Sequence, residues 1–215
     1  MSRPLVIGYH IILNAYGSWL PVDPRGSFSH KVRAVHLESL GDFHHGRRKN
    51  QPTRQELRQY LHQIDGRLEH PRREFSARDR TCIAAAVSDC LAENVYTCYG
   101  CAILQDHVHL LLRKHKHKAE EMAYWLRSVT RGRLLEVRRW PKDHPVWSEG
   151  VHLGFLDSPE AIRSVIRYIE GNGVKHFGGI QKWEFVKTYD GWPLHPGHNP
   201  NSPYARRLRK YGRDC

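Results

Sequence analysis

Two spacings of apolar residues alternate along the chain. Runs dominated by β-branched and other apolar residues predict four strands, at 6–13, 95–104, 107–113 and 145–155. Apolar residues spaced three and four apart predict helices at 76–94, 119–139 and 158–170. Their order predicts an α+β, ferredoxin-like βαββαβ fold, in which an antiparallel sheet has its helices on one face.

The segment 17–73 interrupts this pattern after the first strand. Residues 17–27 are rich in turn formers, which is typical of an ordered loop, and residues 41–52 are polar and basic. Thr53 and Glu56 have the spacing of a capping box, and apolar residues follow at helical intervals. We therefore predict a loop-helix insertion at 17–73 within a domain that spans 1–178.

The charge of the chain indicates the kind of partner that it binds. Lysine and arginine number 34 against 22 acidic residues, which gives a net charge of +12 with neutral histidine. Such a charge favours nucleic acid, although each cation by itself could equally belong to a solvated surface. The cations that we expect to contact DNA lie on the helix 119–139 and in a basic, aromatic-containing tail at 179–215: Arg127, Arg131, Arg133, Arg138, Arg139, Arg206, Arg207, Arg209 and Lys210.

The cysteines and the absence of a long apolar run bear on the compartment. Five cysteines, an odd number in a chain of 215 residues, favour a reduced, cytoplasmic setting. Cys98 and Cys101 lie in a predicted strand that would direct them to opposite faces, so we expect buried thiols rather than a zinc site. No apolar run reaches the roughly 18 residues that span a bilayer, so we expect no membrane partner.

The stretch with the clearest chemical potential is the strand that carries His107 and His109. Side chains alternate faces along a strand, so both imidazoles point the same way, as two ligands of one metal ion would. By itself, such a pair is more often two half-exposed histidines on an edge strand. His10 could face the same site, although an ordinary packed histidine is the interpretation that we favour. Tyr168 and Asn172 are four apart on the last helix and lie one above the other.

Two motifs together resemble the HUH endonuclease superfamily, and most of all the single-tyrosine transposases of insertion sequences and their REP-associated relatives. The first is Asp-His-Val-His-Leu-Leu at 106–111, where the family usually has Asn before the first histidine. The second is Tyr-Ile-Glu-Gly-Asn-Gly-Val at 168–174, which resembles the pattern Tyr-Ile-x-x-Asn-Pro-Val. Asp106 and Gly173 are the two departures, and Gly173 removes a rigid helix stop.

The resemblance implies a transposase-type enzyme that nicks and rejoins single-stranded DNA, often with a hairpin. Tyr168 would be the nucleophile that forms a 5′-phosphotyrosine link. His107 and His109, with Asn172 as third ligand, would hold Mg²⁺ or Mn²⁺. Residues 1–178 would then form a transposase-like catalytic domain.

Several points stay open at this stage. A free tyrosine has a pKa of about 10, so a base or the metal ion must help to remove the proton of Tyr168; His152 and Glu149 are two candidates. Two alternative functions are a non-catalytic nucleic-acid-binding relative and a metal-dependent hydrolytic nuclease in which water attacks. We expect the protein to act in the cytoplasm at the nucleoid, and we favour a monomer over a homodimer.

Overall fold

A computed structural model gives the fold and describes residues 5–27, 44, 46–191, 201, 203, 205 and 206. The main sheet is antiparallel, with strand order β4-β5-β1-β6, and comprises β1 (Gly8–Ala15), β4 (Cys98–Ile103), β5 (His107–Arg113) and β6 (Trp147–Leu156). Two short strands, β2 (Gly26–Ser27) and β3 (Gly46–Arg47), pair separately. The helices are α1 (Arg54–Asp65), α2 (Ala77–Glu93), α3 (Ala119–Val137) and α4 (Pro159–Phe177). This strand order confirms the α+β, ferredoxin-like prediction.

The two faces of the sheet are covered by different helices. On β5, Val108, Leu110 and Leu112 are fully buried and join a large core with α2 and α3. Leu111 points the other way and packs with Ile162 of α4. The prediction that the helices lie on one face is therefore wrong for α4. Helical spacing predicts which side of a helix is buried, but it does not say which face of the sheet receives it.

Helices α1 to α4 all begin where the sequence pattern predicts, and three of them are capped by a hydroxyl side chain. Thr53 and Glu56 exchange hydrogen bonds in a capping box at the start of α1. Ser76 and Asp79 do the same for α2, and Ser158 caps α4 with its hydroxyl. No helix in the described part of the chain is both long enough and apolar enough to cross a membrane.

Helix α4 is longer than the sequence predicts. It continues to Phe177 and ends at Gly178, which adopts a left-handed φ of 76°. Gly173, where we expected the helix to have ended, lies inside it. A Cβ at Gly173 would lie 2.9 Å from the carbonyl oxygen of Gly179, so this close approach requires glycine. Asn172 is therefore held within a regular helix.

The insertion has a small core of its own. Val22, Tyr60 and Ile64 are buried together and tie its loop to α1. The pairing of β2 with β3 was not predicted, because strands of two residues leave no alternating pattern. Residues 28–43 and 45 lie outside the described residues, so the basic stretch 41–52 is described only in part.

The chain after α4 lies against β4. The side-chain amide of Gln181 accepts from the N–H of Ile103 at 2.7 Å and donates to its carbonyl at 3.1 Å. Trp183 and Phe185, two aromatic residues of the tail, pack against the main core. The boundary between domain and tail stays a prediction, and residues 207–215 lie outside the described part of the chain.

Cys98 and Cys101 both lie in the main core, so our expectation of opposite faces was wrong. The cause is a register shift between Cys98 and Gly100, which changes the alternation of side chains along β4. Burial raises the pKa of Cys98 to about 12. The prediction of buried thiols is confirmed, and this thiol is neutral near pH 7.

Candidate active site

Two histidines of β5 form the centre of the site. His107 and His109 project from the face of the sheet that α4 covers, as alternation along the strand requires. Their Nε2 atoms are 3.0 Å apart. They are 9% and 1% exposed, so they are buried rather than half-exposed residues of an edge strand.

Hydrogen bonds at the Nδ1 atoms, which are the outer nitrogens of the pair, fix the orientation of both rings. The Oδ1 atom of Asp106 is 2.6 Å from Nδ1 of His107, and because a carboxylate only accepts, this Nδ1 carries the proton. The Nδ1 atom of His109 is 3.1 Å from Nε2 of His10. When His109 donates to His10, the Nε2 atoms of both strand histidines present lone pairs to the same point.

The surroundings keep His109 and His10 neutral. Burial lowers the pKa of His109 well below its ordinary value, and His107 and His10 add to the effect. Burial also lowers the pKa of His10 to about 4, with a further contribution from His152. A neutral imidazole is the form that binds a metal ion.

Asp106 is ionised beside the pair. Burial alone would raise the pKa of its carboxyl, but the hydrogen bond with His107 and the cation of Arg25 outweigh burial and lower that pKa. The Nη1 atom of Arg25 lies 3.4 Å from Oδ2 of Asp106. Arg25 belongs to the loop of the insertion, so this loop reaches the site.

Tyr168 lies beside the histidines on α4. Its ring centroid is 5.3 Å from that of His109 and 6.0 Å from that of His10, both in edge-to-face arrangements. The tyrosine is 54% exposed, whereas the imidazoles that support it are buried. A large substrate such as a nucleic acid strand can therefore reach this side chain.

The distance between the strand histidines bears on whether they fit a divalent ion. Two ligand nitrogens bound at about 2.1 Å and at a right angle lie about 3.0 Å apart. This matches the 3.0 Å between the Nε2 atoms of His107 and His109, so the pair fits. Asn172 donates its amide to the carbonyl of Tyr168 at 3.0 Å, and its role as third ligand stays a prediction. Within the described ranges, no three His, Cys, Asp or Glu side chains are grouped as a metal site.

The two candidate bases lie in different places. The ring centroid of His152 is 6.4 Å from that of His10, which puts His152 next to the histidine cluster. Glu149 is exposed on the edge strand, where its backbone carbonyl accepts a hydrogen bond from Arg127 at 2.9 Å. Neither residue is thereby assigned as the base, although His152 is the better placed of the two.

Two of the α3 arginines that we expected to contact DNA instead donate hydrogen bonds to backbone carbonyls just before β6 and within it. Arg127 donates to the carbonyls of Ser148 at 2.6 Å and Glu149 at 2.9 Å. Arg131 donates to carbonyls within 142–149 at 2.8 and 3.1 Å. Carbonyl groups do not cancel a guanidinium charge, so both residues can still attract phosphate.

The other arginines of α3 and its C-terminal end differ in their partners. Arg133 pairs with Asp89 at 2.7 Å, and Arg138 pairs with Asp79 at 2.9 Å. Arg139 is exposed and adopts a left-handed φ of 52°. Surface ion pairs stabilise a protein little, so DNA phosphates could compete for Arg133. The role of all five arginines as DNA contacts stays a prediction.

Tail and surface residues complete the set. Arg206 is exposed, and the remaining predicted tail contacts lie outside the described residues: Arg207, Arg209 and Lys210. Tyr124 and Trp125 of α3 are 63% and 46% exposed, with ring centroids 5.3 Å apart. We did not predict this aromatic pair as a surface, although two adjacent aromatics outside the apolar stripe of a helix were the available signal.

Two contributors to the site were missed from the sequence. The guanidinium carbon of Arg25 lies 3.8 Å from the ring centroid of Trp19, and Trp19 contacts His107 edge to face at 5.6 Å. No spacing in the sequence connects a loop residue with a strand some eighty residues later. The one signal was Asp106 itself, because a buried carboxylate needs a cationic or hydrogen-bonding partner.

Comparisons with known proteins find similar solved structures but no related sequence. No family model matches the chain, and no curated protein matches it. One similar structure is described as a candidate transposase from Deinococcus radiodurans R1; it is 15% identical, has a TM-score of 0.36, and the match covers 80% of this chain and 92% of that one. Another is a REP-associated tyrosine transposase bound to a REP hairpin, with 11% identity, a TM-score of 0.41 and coverage of 99% and 85%. At such low scores neither structure carries a function or a residue role over to this chain.

Proposed function

We propose that this protein nicks and rejoins single-stranded DNA through a covalent link to Tyr168. One observation carries the proposal: an exposed tyrosine ring lies 5.3 Å from the buried ring of His109. His109 in turn holds its Nε2 3.0 Å from that of His107. A nucleophile and a pair of metal-type ligands on one face of a sheet are what phosphoryl transfer to a side chain needs.

The chemistry of the step follows from the nucleophile. The phenolic oxygen of Tyr168 attacks the scissile phosphorus, and the bond from phosphorus to the 3′ oxygen breaks. Tyr168 gives up its proton, and the departing oxygen takes up a proton to become a free 3′-hydroxyl. The 5′-phosphotyrosine link conserves the energy of the phosphodiester, so attack by another 3′-hydroxyl rejoins the strand without ATP.

The histidines are proposed to hold a divalent ion, with Asn172 as the third protein ligand. When bound, Mg²⁺ or Mn²⁺ would polarise the scissile phosphate and offset charge in the transition state. Two imidazole ligands are better suited to Mn²⁺ than to Mg²⁺, which prefers oxygen. His10 and Asp106 orient His109 and His107 through the outer ring nitrogens.

The proposed partner is single-stranded DNA with a hairpin, the substrate class that the motifs imply. The net charge of +12 supports a polyanionic partner. The exposed pair Tyr124 and Trp125 supports unpaired bases in particular, because bases stack on exposed aromatic rings. We further propose that the protein acts as a monomer, in the cytoplasm at the nucleoid.

A covalent adduct is the direct test. The protein is incubated with end-labelled, hairpin-containing single-stranded DNA and Mn²⁺ and then resolved on a denaturing gel. We expect an adduct that EDTA prevents and that Tyr168→Phe abolishes. Tyr189→Phe is the control, since it removes the same hydroxyl from a tyrosine that packs against Tyr99 and has no part in the proposed site, and it should leave the adduct.

The same gel separates the alternatives. Cleavage without an adduct, retained in Tyr168→Phe, would overturn the proposal in favour of a hydrolytic nuclease. DNA binding measured by fluorescence anisotropy, with neither cleavage nor adduct on the gel, would favour a non-catalytic nucleic-acid-binding protein.

A further inference from the structure

We infer that the loop 17–27 of the insertion is a positioning element of the histidine site. In this arrangement Arg25 holds Asp106, and Asp106 fixes the tautomer of His107 so that its Nε2 is free to act as a ligand. The consequence for metal binding rests on the proposed function, whereas the effect on the tautomer does not.

Arg25 is anchored before it reaches the site. Its Nε and Nη2 donate to the two carboxylate oxygens of Asp23 at 3.0 and 2.8 Å, and its backbone N–H donates to the same group at 2.9 Å. Asp23 is 1% exposed, so this bidentate pair is fixed inside the loop. The remaining nitrogen, Nη1, is directed at Oδ2 of Asp106, 3.4 Å away.

Trp19 supports both partners from the same loop. The guanidinium of Arg25 lies over its ring, 3.8 Å from the centroid, and the ring meets His107 edge to face at 5.6 Å. Trp19 has a φ of 56°, a left-handed conformation that a bulky residue rarely adopts and that the surrounding loop must hold in place. Backbone strain next to the histidines indicates that the strained loop has a role in their site.

The two oxygens of Asp106 then have different partners. Oδ1 accepts from Nδ1 of His107 at 2.6 Å, and Oδ2 faces Arg25. A carboxylate can only accept, so it fixes the proton on Nδ1, whereas an asparagine amide could present either a donor or an acceptor. Asp106 stands where the motif it resembles usually has Asn, and Arg25 lies in the insertion. The two residues therefore act together to orient His107.

Two variants and a matched control test this inference. Arg25→Gln removes the cation, and Asp106→Ala removes the acceptor; Asp106→Asn replaces Asp106→Ala should the latter fail to fold. Arg72→Gln is the control, because Arg72 also pairs with two carboxylates, Asp65 and Glu74, and is 15% exposed at its side chain against 18% for Arg25.

The first readout is the tautomer of His107 in the metal-free protein, measured from long-range ¹H–¹⁵N correlations with His107→Gln for assignment. We expect the Nδ1–H form in the wild type and in Arg72→Gln, and a mixture in the other variants. The second readout is Mn²⁺ affinity by calorimetry. We expect a loss of about 10–100-fold in Asp106→Ala and a smaller loss in Arg25→Gln.

An unchanged tautomer in both Arg25→Gln and Asp106→Ala would overturn the inference. A wild-type protein that binds no Mn²⁺ would instead contradict the proposed metal site, and the tautomer would still decide whether the loop positions His107.

Discussion

Along β5, Val108, Leu110 and Leu112 face α2 and α3, whereas His107 and His109 face α4. Both sets are buried, yet they are surrounded differently. The apolar set touches other apolar side chains, while the imidazoles are hydrogen-bonded through their Nδ1 atoms to His10 on β1 and to Asp106 just before β5. One rigid strand thus forms the core on one face and positions donor atoms on the other.

The side chains buried on the two faces stabilise the fold to different extents. Burying a leucine stabilises a fold by roughly 1.5–3 kcal/mol. A buried imidazole stabilises it much less, because its lost hydration must be replaced by hydrogen bonds. The α2/α3 face should therefore determine stability, and the α4 face should determine activity. Variants on the two faces should therefore separate into those that change stability and those that change activity.

His107→Ala should greatly reduce adduct formation and leave the fold intact. We expect adduct formation to fall at least about 1000-fold, equivalent to about 4 kcal/mol in the barrier. DNA affinity should stay within about threefold, because phosphate contacts elsewhere supply most of it. Single-turnover gels and fluorescence anisotropy measure the two quantities, and an unchanged adduct yield would refute the assignment of His107 to the site.

Leu110→Ala on the opposite face should do the reverse. Removing a fully buried leucine leaves a cavity and should lower the free energy of unfolding by about 3 kcal/mol. Urea denaturation measures this loss, with His107→Ala run alongside for comparison. The adduct rate of the protein that remains folded should change by only a few-fold; a loss as large as that of His107→Ala would break the division between the faces.

Asp79 gives the α2/α3 face a distinct dependence on pH. Burial alone would raise its pKa, but hydrogen bonds from Ser76 and Arg138 outweigh burial and lower it. Its contribution to stability is therefore complete above the ordinary value of 3.8 and is lost as the pH falls through the lowered value.

Asp79→Asn should reduce the free energy of unfolding at pH 7 by about 1–2 kcal/mol, since it weakens the cap of α2 and leaves Arg138 without its ion pair. Urea denaturation over a series of pH values should then show a shallower loss of stability in acid for the variant. Parallel curves for variant and wild type would contradict this role of Asp79.

The arginines of the α3 region give the smallest expected effect. Arg139→Gln should reduce the slope of log affinity against log salt by about 1 if the exposed guanidinium contacts a phosphate. Arg133→Gln should reduce it less, because Asp89 competes for that side chain at 2.7 Å. Anisotropy titrations at several salt concentrations distinguish them, and equal slopes for both variants and the wild type would show that DNA does not cross this surface.

Much of this division could be predicted from residues close together in sequence. Alternation placed His107 and His109 on one face, and the bounds predicted for their strand, 107–113, are those observed. The cap at Thr53 was predicted for the same reason, because a capping box is a contact between residues three apart.

What depends on distant contacts could not be predicted. The position of α4 is set by packing across the sheet, and the close approach of Gly179 that requires glycine at position 173 is visible only in the folded chain. The pairing of Arg25 with Asp106 joins residues from separate elements, which no local pattern encodes. His10, interpreted as an ordinary packed histidine, is both buried and bonded to the site.

The proposed function depends above all on a covalent bond between Tyr168 and DNA. The most direct measurement is mass spectrometry of the protein after reaction with a single-stranded hairpin oligonucleotide and Mn²⁺, followed by nuclease and protease digestion. We expect one peptide in which Tyr168 carries a nucleotide through its 5′-phosphate, and no such peptide when EDTA is present during the reaction. A nucleotide on another residue, or cleaved DNA with every peptide unmodified, would contradict the proposed function.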